Sequence, residues 1–381
     1  MTDIASSLQG RRLAFVVTED WFFASHFLPM ARAAVAAGLA VTVITRVRAH
    51  RPAIEATGAK VVALEAERRS LNPMRAGYAA GQLAAILKEE RADLVHCIAL
   101  RSILVGGFAA ALAGISRRIY ALTGLGFLGA RTDLTGRLAQ RAIRTLVRGL
   151  ETRQTRYLFE NLDDPRLLGL EPSEPRVTIV GGAGVDPDAL RPAPLPTQPP
   201  LKVAVVARML WSKGVDTTVE AVRLARAGGA SVELSLYGSP DPSNPKAVPE
   251  ATLREWSREP GIAWHGPTGD PSSVWREHHV CCLASRGGEG LPRTLLEGAA
   301  CGRALVTTDV PGCRALVRDG IEGRLVPPDD PAALADAFAA LSRDPAAVAR
   351  MGAAARARVL GGFTESDVMA AVQTLYRQAL A

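Results

Sequence analysis

The sequence predicts an α/β protein of two domains, each built on a parallel sheet covered by helices on both faces. Three observations predict it. Short runs apolar on both strand faces alternate with Ala-rich stretches of helical spacing. The alternation stops at a proline-rich stretch, residues 185–200, and then restarts. And 381 residues are many for a single hydrophobic core.

In chain order, RLAFVV, LAVTVIT, AKVVAL, ADLVHCI, RRIYAL and RVTIVGG read as strands. FLPMARAAVAAG and RAGYAAGQLAAILKEE are helical patterns between them. VDPDALRPAPLPTQPP reads as a linker, because its prolines forbid regular structure. LKVAVVAR, a helix over residues 212–227, SVELSLYG, GIAWHG, HVCCLASR, ALVTTD and GRLVPP follow, with helices between. The last stretch, TESDVMAAVQTLYRQALA, is an amphipathic helix opened by Thr364 as its N-cap. The expected division is 1–190, 191–363 and a terminal helix, 364–381, crossing back to the first domain. Open α/β sheets bind ligands at the carboxyl ends of their strands, so functional residues are sought there.

Hydrophobic content of 48% and charged content of 22% are those of an ordinary globular protein. No apolar run of about 18 residues marks a spanning helix. The start, MTDIASSLQGRRLAFVV, lacks a secretory pattern, so a cytosolic location is expected. Cys97, Cys281, Cys282, Cys301 and Cys313 show no metal-ligand spacing and read as reduced, mostly buried thiols. The net charge of +7 suits anionic partners such as nucleotide-sugars, phospholipid head groups or nucleic acid.

Chemistry concentrates in two segments. In SRGGEGLPRTLLEGAACGRALVTTDVPGC, residues 285–313, Glu289 follows a strand and a glycine pair. Gly290-Leu291-Pro292 then opens a helix carrying Glu297, eight positions on, on roughly the same side. Backbone N–H groups at that helix start make a seat for a diphosphate. Glu297 is placed to accept ribose hydroxyls and Glu289 to hold sugar hydroxyls. In VARMLWSKGVDTTVEAV, residues 206–222, Arg208 ends a strand and Lys213 lies in the loop entering the next helix. Two fixed cations there stabilise a departing diphosphate without a metal.

Together these segments resemble the donor-binding signature of the family 4 retaining glycosyltransferases. The Arg208/Lys213 pair matches that family's diphosphate cations, and Glu289 and Glu297 match its two glutamates separated by seven residues. The runs TTDVPGCRALV and EGRLVPPDDPAALADAF are similar to its C-terminal domain as well. The resemblance covers essentially the whole chain and is strongest after residue 200. It implies the GT-B fold, two Rossmann-like domains facing each other across a cleft. It also implies Arg208, Lys213 and Glu289 as catalytic residues, and these with Gly290, Leu291 and Glu297 as donor contacts.

In the first half, FVVTEDWFFASHFLPMARAA, TGLGFLG and VGGAGVD are similar to bacterial enzymes that elongate polyprenyl-diphosphate-linked oligosaccharides, such as the N-acetylgalactosaminyltransferase of N-glycan assembly. This implies a UDP-sugar donor as substrate rather than cofactor, a lipid-linked acceptor and retention of configuration. Thr18, Glu19 and Asp20 stand where many family members have a Gly-Gly loop, and Thr123-Gly124 where many have a sugar-contacting His. His26 is the nearest substitute, so Thr18, Glu19, His26, Thr123 and Gly124 are the acceptor-side expectations. His96 reads as a strand residue, and Trp264 as packing or as a border of the base pocket. Asp186-Pro187-Asp188 spells the Asp-x-Asp of metal-dependent glycosyltransferases, but within the proline-rich linker, and no metal is expected.

Residues 131–156 hold Arg131, Arg137, Arg141, Arg144, Arg148, Arg153 and Arg156. The middle four share one helix face, opposed by Leu138, Ile143, Leu146, Val147 and Leu150. The basic face is read as docking on anionic lipid, with the protein peripheral on the inner face of the cytoplasmic membrane. The rivals are a nucleotide-sugar epimerase-like enzyme of the same architecture and a non-catalytic nucleotide- or nucleic-acid-binding protein. No helix-turn-helix or aromatic RNA-binding motif supports the latter, and no nucleic-acid partner is expected.

Overall fold

Valine, isoleucine and leucine runs become the central strands of two sheets, parallel throughout. The computed structural model describes residues 8–64, 73–124, 134–241 and 244–381. The chain forms two units, Met1–Ala183 with Glu365–Ala381, and Gly184–Thr364.

The first unit contains β1 (Arg12–Glu19), β2 (Ala40–Arg46), β3 (Lys60–Ala63), β4 (Leu94–Ile98), β5 (Arg118–Leu122), β6 (Thr155–Phe159) and β7 (Val177–Ile179), in the order β3-β2-β1-β4-β5-β6-β7. The second contains β8 (Leu201–Val206), β9 (Val232–Tyr237), β10 (Ile262–Gly266), β11 (Val280–Leu283), β12 (Ala304–Thr308) and β13 (Gly323–Val326), in the order β10-β9-β8-β11-β12-β13. Every residue of β4, β5, β11 and β12 is buried, as both-face coverage requires. In each sheet the strand order reverses once, between β1 and β4 and between β8 and β11. A crevice opens at the carboxyl ends of such a pair, because the flanking connections run to opposite faces.

Of the seven arginines in residues 131–156, the four expected on one helix face do share a helix, while Arg156 does not belong to it. The helix spans Leu134–Gly149, and Thr155–Phe159 is the internal strand β6, which the sequence reading did not include among its strands. Arg156 therefore belongs to the sheet, where its Nη1 donates to the Pro175 carbonyl at 3.2 Å. Arg131 lies outside the described residues.

The terminal helix, Glu365–Leu380, packs on the helix Leu28–Ala36 in the first unit. Val368, Val372, Leu375 and Tyr376 join Phe15, Phe23, Phe27 and Met30 in one core. His96 is wholly buried beneath it, with Nδ1 3.2 Å from the Tyr376 hydroxyl and its ring 4.9 Å from Phe15. Burial lowers the His96 pKa to about 3, so the ring is neutral packing at ordinary pH.

The proline-rich stretch does not hang free between the units. It lies on the second one, held through its carbonyls, which prolines still offer. The buried Arg303 donates to Ala193 O, and also to His278 O at 3.2 Å. Arg356 donates to Leu190 O at 3.0 Å. His279 Nδ1 accepts the Lys202 N–H at 2.9 Å, so Nε2 carries the proton and donates to Pro196 O at 3.0 Å.

Candidate active site

The crevice of the second unit lies where β8 and β11 diverge. Beyond β8 comes Arg208, then a single 3-10 turn, Trp211–Lys213, leading into the helix Val215–Ala227. Beyond β11 comes the segment with Glu289, then the helix Arg293–Ala300. Parallel pairing of β8 with β11 puts both loops at one edge.

There the structure brings Lys213 and Glu289 together. Lys213 Nζ lies 2.6 Å from Glu289 Oε1, and the two side chains are only 17% and 18% exposed. The same oxygen accepts the Ser285 hydroxyl proton at 3.1 Å. Ser285 Oγ accepts the Gly287 N–H at 3.2 Å, and the Thr308 hydroxyl donates to Ser285 O at 2.5 Å. The loop is thus tied down from β12. Gly287 and Gly288 have φ of 105° and 79°, a region that disfavours side chains, which accounts for the glycine pair ahead of Glu289. Among an ammonium's three donors, one goes to Glu289 and others remain for a phosphate.

Glu297 sits one turn into its helix and is buried. Its Oε1 accepts from Arg293 Nε at 2.8 Å. Burial raises the Glu297 pKa, and Arg293 offsets only part of that rise. Leu291 is buried among Leu295 and Leu296, so its side chain serves the core. The first N–H groups of the Arg293–Ala300 helix open at the same edge, where partial positive charge favours an anion. Arg208 makes a different contact: its Nη1 lies 3.3 Å from Asp241 Oδ2, in the loop after β9. The sequence reading did not find Asp241 or Arg293; the four-residue spacing of Arg293 and Glu297 on one helix was the available signal. Trp264 Nε1 donates to Gly238 O at 2.8 Å and packs against the core, while His265 stacks on Tyr237 at 4.7 Å.

In the first unit, Thr18 and Glu19 end β1 and Thr123-Gly124 follow β5, at one sheet edge. His26 closes the short helix Asp20–His26; its Nδ1 is 2.6 Å from Ser25 Oγ and its ring 4.8 Å from Phe22. Glu19 is buried, 3.6 Å from Arg46 Nη1. Asp20 is wholly enclosed, and its Oδ2 accepts the N–H groups of Arg48 at 2.7 Å and His50 at 2.9 Å. Burial pushes its pKa up, but the backbone N–H groups of His50, Arg48 and Trp21 outweigh it and hold the pKa low. Asp20 therefore fastens the loop after β2. Ala99, directly after β4, has φ of 68°, a strained value for a side chain, at the strand reversal; nothing in the sequence signalled it. Residues 125–129 of TGLGFLG lie outside the described residues.

On the helix Leu134–Gly149, Arg137, Arg141, Arg144 and Arg148 are all exposed. Ile143 and Val147 are buried as read, but Leu138 and Leu146 are each 55% exposed, and so is Leu134 at 68%. The buried stripe is narrower than the apolar composition implied, so leucines flank the arginines on the outer surface. Asp186 Oδ1 accepts the N–H groups of Asp188 at 2.9 Å and Ala189 at 3.3 Å, a turn of the kind Asp makes with its own backbone. All five cysteines are free and buried.

Residues 12–155 match the family described as "Glycosyl transferase 4-like", and residues 200–344 match "Glycosyl transferases group 1". The two matches together take in well over half of the chain. Over 282 residues the chain is 25% identical to the N,N'-diacetylbacillosaminyl-diphospho-undecaprenol alpha-1,3-N-acetylgalactosaminyltransferase of Campylobacter jejuni, covering 70% of this chain and 72% of that enzyme. It is 28% identical to the amylovoran biosynthesis glycosyltransferase AmsK of Erwinia amylovora, over 44% of this chain and 42% of the other. The fold matches that of Anabaena HepE, crystallised with UDP-glucose, with a TM-score of 0.76 at 16% identity, covering 95% of this chain and 98% of that one. With two parallel α/β units and these two matched stretches, the chain belongs to the family 4 glycosyltransferases of the GT-B fold.

Proposed function

We propose that this glycosyltransferase moves a hexose or N-acetylhexosamine from a UDP-sugar to a polyprenyl-diphosphate-linked saccharide, with retention of configuration and without a metal. The product belongs to cell-surface polysaccharide or glycan assembly. The observation that carries the reading is the Lys213–Glu289 contact at the β8/β11 reversal, 2.6 Å long and largely shielded from water.

In this reading the diphosphate lies against Lys213, Arg208 and the start of the Arg293–Ala300 helix. Glu297 accepts the ribose hydroxyls, and Glu289 orients both the sugar and Lys213. The bond from the anomeric carbon to the β-phosphate oxygen breaks as the acceptor oxygen bonds to the same face of that carbon. The acceptor proton passes to the leaving phosphate oxygen, so no protein base is assigned. Charge growing on the diphosphate meets two cations fixed beforehand, which lowers the barrier. Thr18, Glu19, His26, Thr123 and Gly124 remain the acceptor-side candidates in the first unit. The lipid-linked acceptor is supported by likeness to the Campylobacter diphospho-undecaprenol N-acetylgalactosaminyltransferase, and the UDP donor by likeness to the Anabaena protein crystallised with UDP-glucose.

A lipid-linked acceptor calls for work at a membrane surface. Among the described residues no helix is long and apolar enough to cross a membrane. The exposed leucines and arginines of the Leu134–Gly149 helix are assigned to an anionic inner leaflet, the leucines entering between head groups.

The test of the function is a thermal-shift panel of UDP, GDP, ADP and their sugars. A ligand binding only the folded state at about 100 times its Kd adds about 2.7 kcal/mol. UDP and a UDP-sugar are expected to shift the midpoint and the others not. No shift with any nucleotide would overturn the reading.

A further inference from the structure

The segment that supplies Glu289 also contains Arg286, a cation whose residue type invites assignment to the phosphates. The geometry points to another role. We infer that Arg286 is a positioning residue, which clamps the turn bearing Lys213 to the segment bearing Glu289 and makes no contact with the donor itself. This inference rests on the donor-site reading above.

A guanidinium has five N–H donors. Arg286 Nε donates to Asp329 Oδ1. Nη1 donates to Trp211 O, and to Asp216 Oδ1 at 2.9 Å. Nη2 donates to Asp216 Oδ2 at 2.9 Å and to Thr217 Oγ1 at 3.1 Å. All five are used, and two carboxylates flank one positive charge, so the group offers a phosphate neither a free donor nor net attraction. Its backbone N–H also donates to Ser212 O at 2.9 Å.

Each partner lies where it fixes Lys213. Trp211 and Ser212 form the turn with Lys213, and Asp216 and Thr217 are in the first turn of the helix that follows. Between them, Gly214 has φ of 64°, and a Cβ there would come 1.8 Å from Ala284 O. The turn therefore sits directly on the end of β11, and Arg286, two residues beyond Ala284, locks it from the side. The bidentate fork on Asp216 sets direction as well as distance, which a lysine ammonium does not reproduce. Lys213 reaches Glu289 at 2.6 Å only while the two segments keep this register.

The test is a cycle of kcat and KM for the UDP-sugar in wild type, Arg286→Lys, Lys213→Ala and the double variant, with thermal midpoints as a check of folding. Arg286→Lys is expected to lower kcat by about 10- to 100-fold, as misplacement of a group meeting developing charge does. KM should stay within about threefold, because Arg286 itself touches no donor atom. In the Lys213→Ala background the same change should cost less than about twofold, since nothing remains to be positioned. Asp216→Asn, which keeps the side chain's size but gives up the charge and one of the fork's two acceptors, should fall between wild type and Arg286→Lys, and it replaces Arg286→Lys in the cycle if the latter does not fold. Wild-type kcat in Arg286→Lys, or losses that multiply fully across both backgrounds, would overturn the inference. If Lys213→Ala alone keeps full turnover, the donor-site reading has failed instead.

Discussion

Glu297, proposed to accept the ribose hydroxyls, is a carboxyl that the fold holds at a cost when it is charged. Its pKa is raised by burial, so the folded protein holds a proton there more tightly than the unfolded chain does. Its stabilising effect is complete below the unfolded value, near 4.5, and is lost as pH rises through the higher folded value. Glu297→Gln is therefore expected to be more stable than wild type at pH 7 and equal to it near pH 4, as read by urea unfolding. Gln keeps an oxygen for Arg293 but accepts ribose hydroxyls as a neutral group, so UDP affinity should fall by about tenfold. An equal or lower stability at pH 7 would show that Arg293 fully repays the buried charge. The two glutamates and Lys213 were legible in the sequence because their spacing follows from one helix and one loop. Arg293, Asp241 and the partners of Arg286 were less so, since most of them come from segments far apart in sequence.

At the scale of elements, central strands were readable wherever apolar residues filled both faces. β6 escaped because TRYLF follows a run of arginines, and the charge pattern masked a five-residue strand. The apolar side of the Leu134–Gly149 helix was read too wide for a related reason: composition does not say how much of a stripe the neighbours cover. Its consequence is measurable. Binding to vesicles is expected to need anionic lipid, to weaken with salt, and to fall severalfold in Leu138→Asp, since a buried CH₂ contributes about 0.8 kcal/mol. Equal binding to neutral vesicles would sink the membrane assignment. The terminal helix offers a separate test. His96 beneath it titrates at about 3 rather than its ordinary 6.5, so folding stability is present above pH 6.5 and is lost as pH falls toward 3. His96→Phe should flatten that acid loss in urea midpoints taken from pH 7 to pH 4. An unchanged slope would place the acid sensitivity elsewhere.

Across the whole molecule, one rule of sheet topology places both sets of candidate residues. Each unit reverses its strand order once, and each reversal gathers groups from loops distant in sequence. The second unit fills its crevice with cations, carboxylates and a helix start, a combination suited to a nucleoside diphosphate. The first fills its own with buried Glu19 and Asp20 and the strained Ala99, a poor match for a phosphate. The proposed division of labour rests on these residues rather than on the shared topology. The central claim is that the second unit grips the diphosphate through Lys213. Calorimetric titration with UDP and with uridine, on wild type and Lys213→Ala, tests it most directly. UDP should bind wild type about 100-fold more tightly than uridine, and Lys213→Ala should shrink that ratio to about 10 while leaving uridine affinity unchanged. A ratio that does not change between the two proteins would contradict the account.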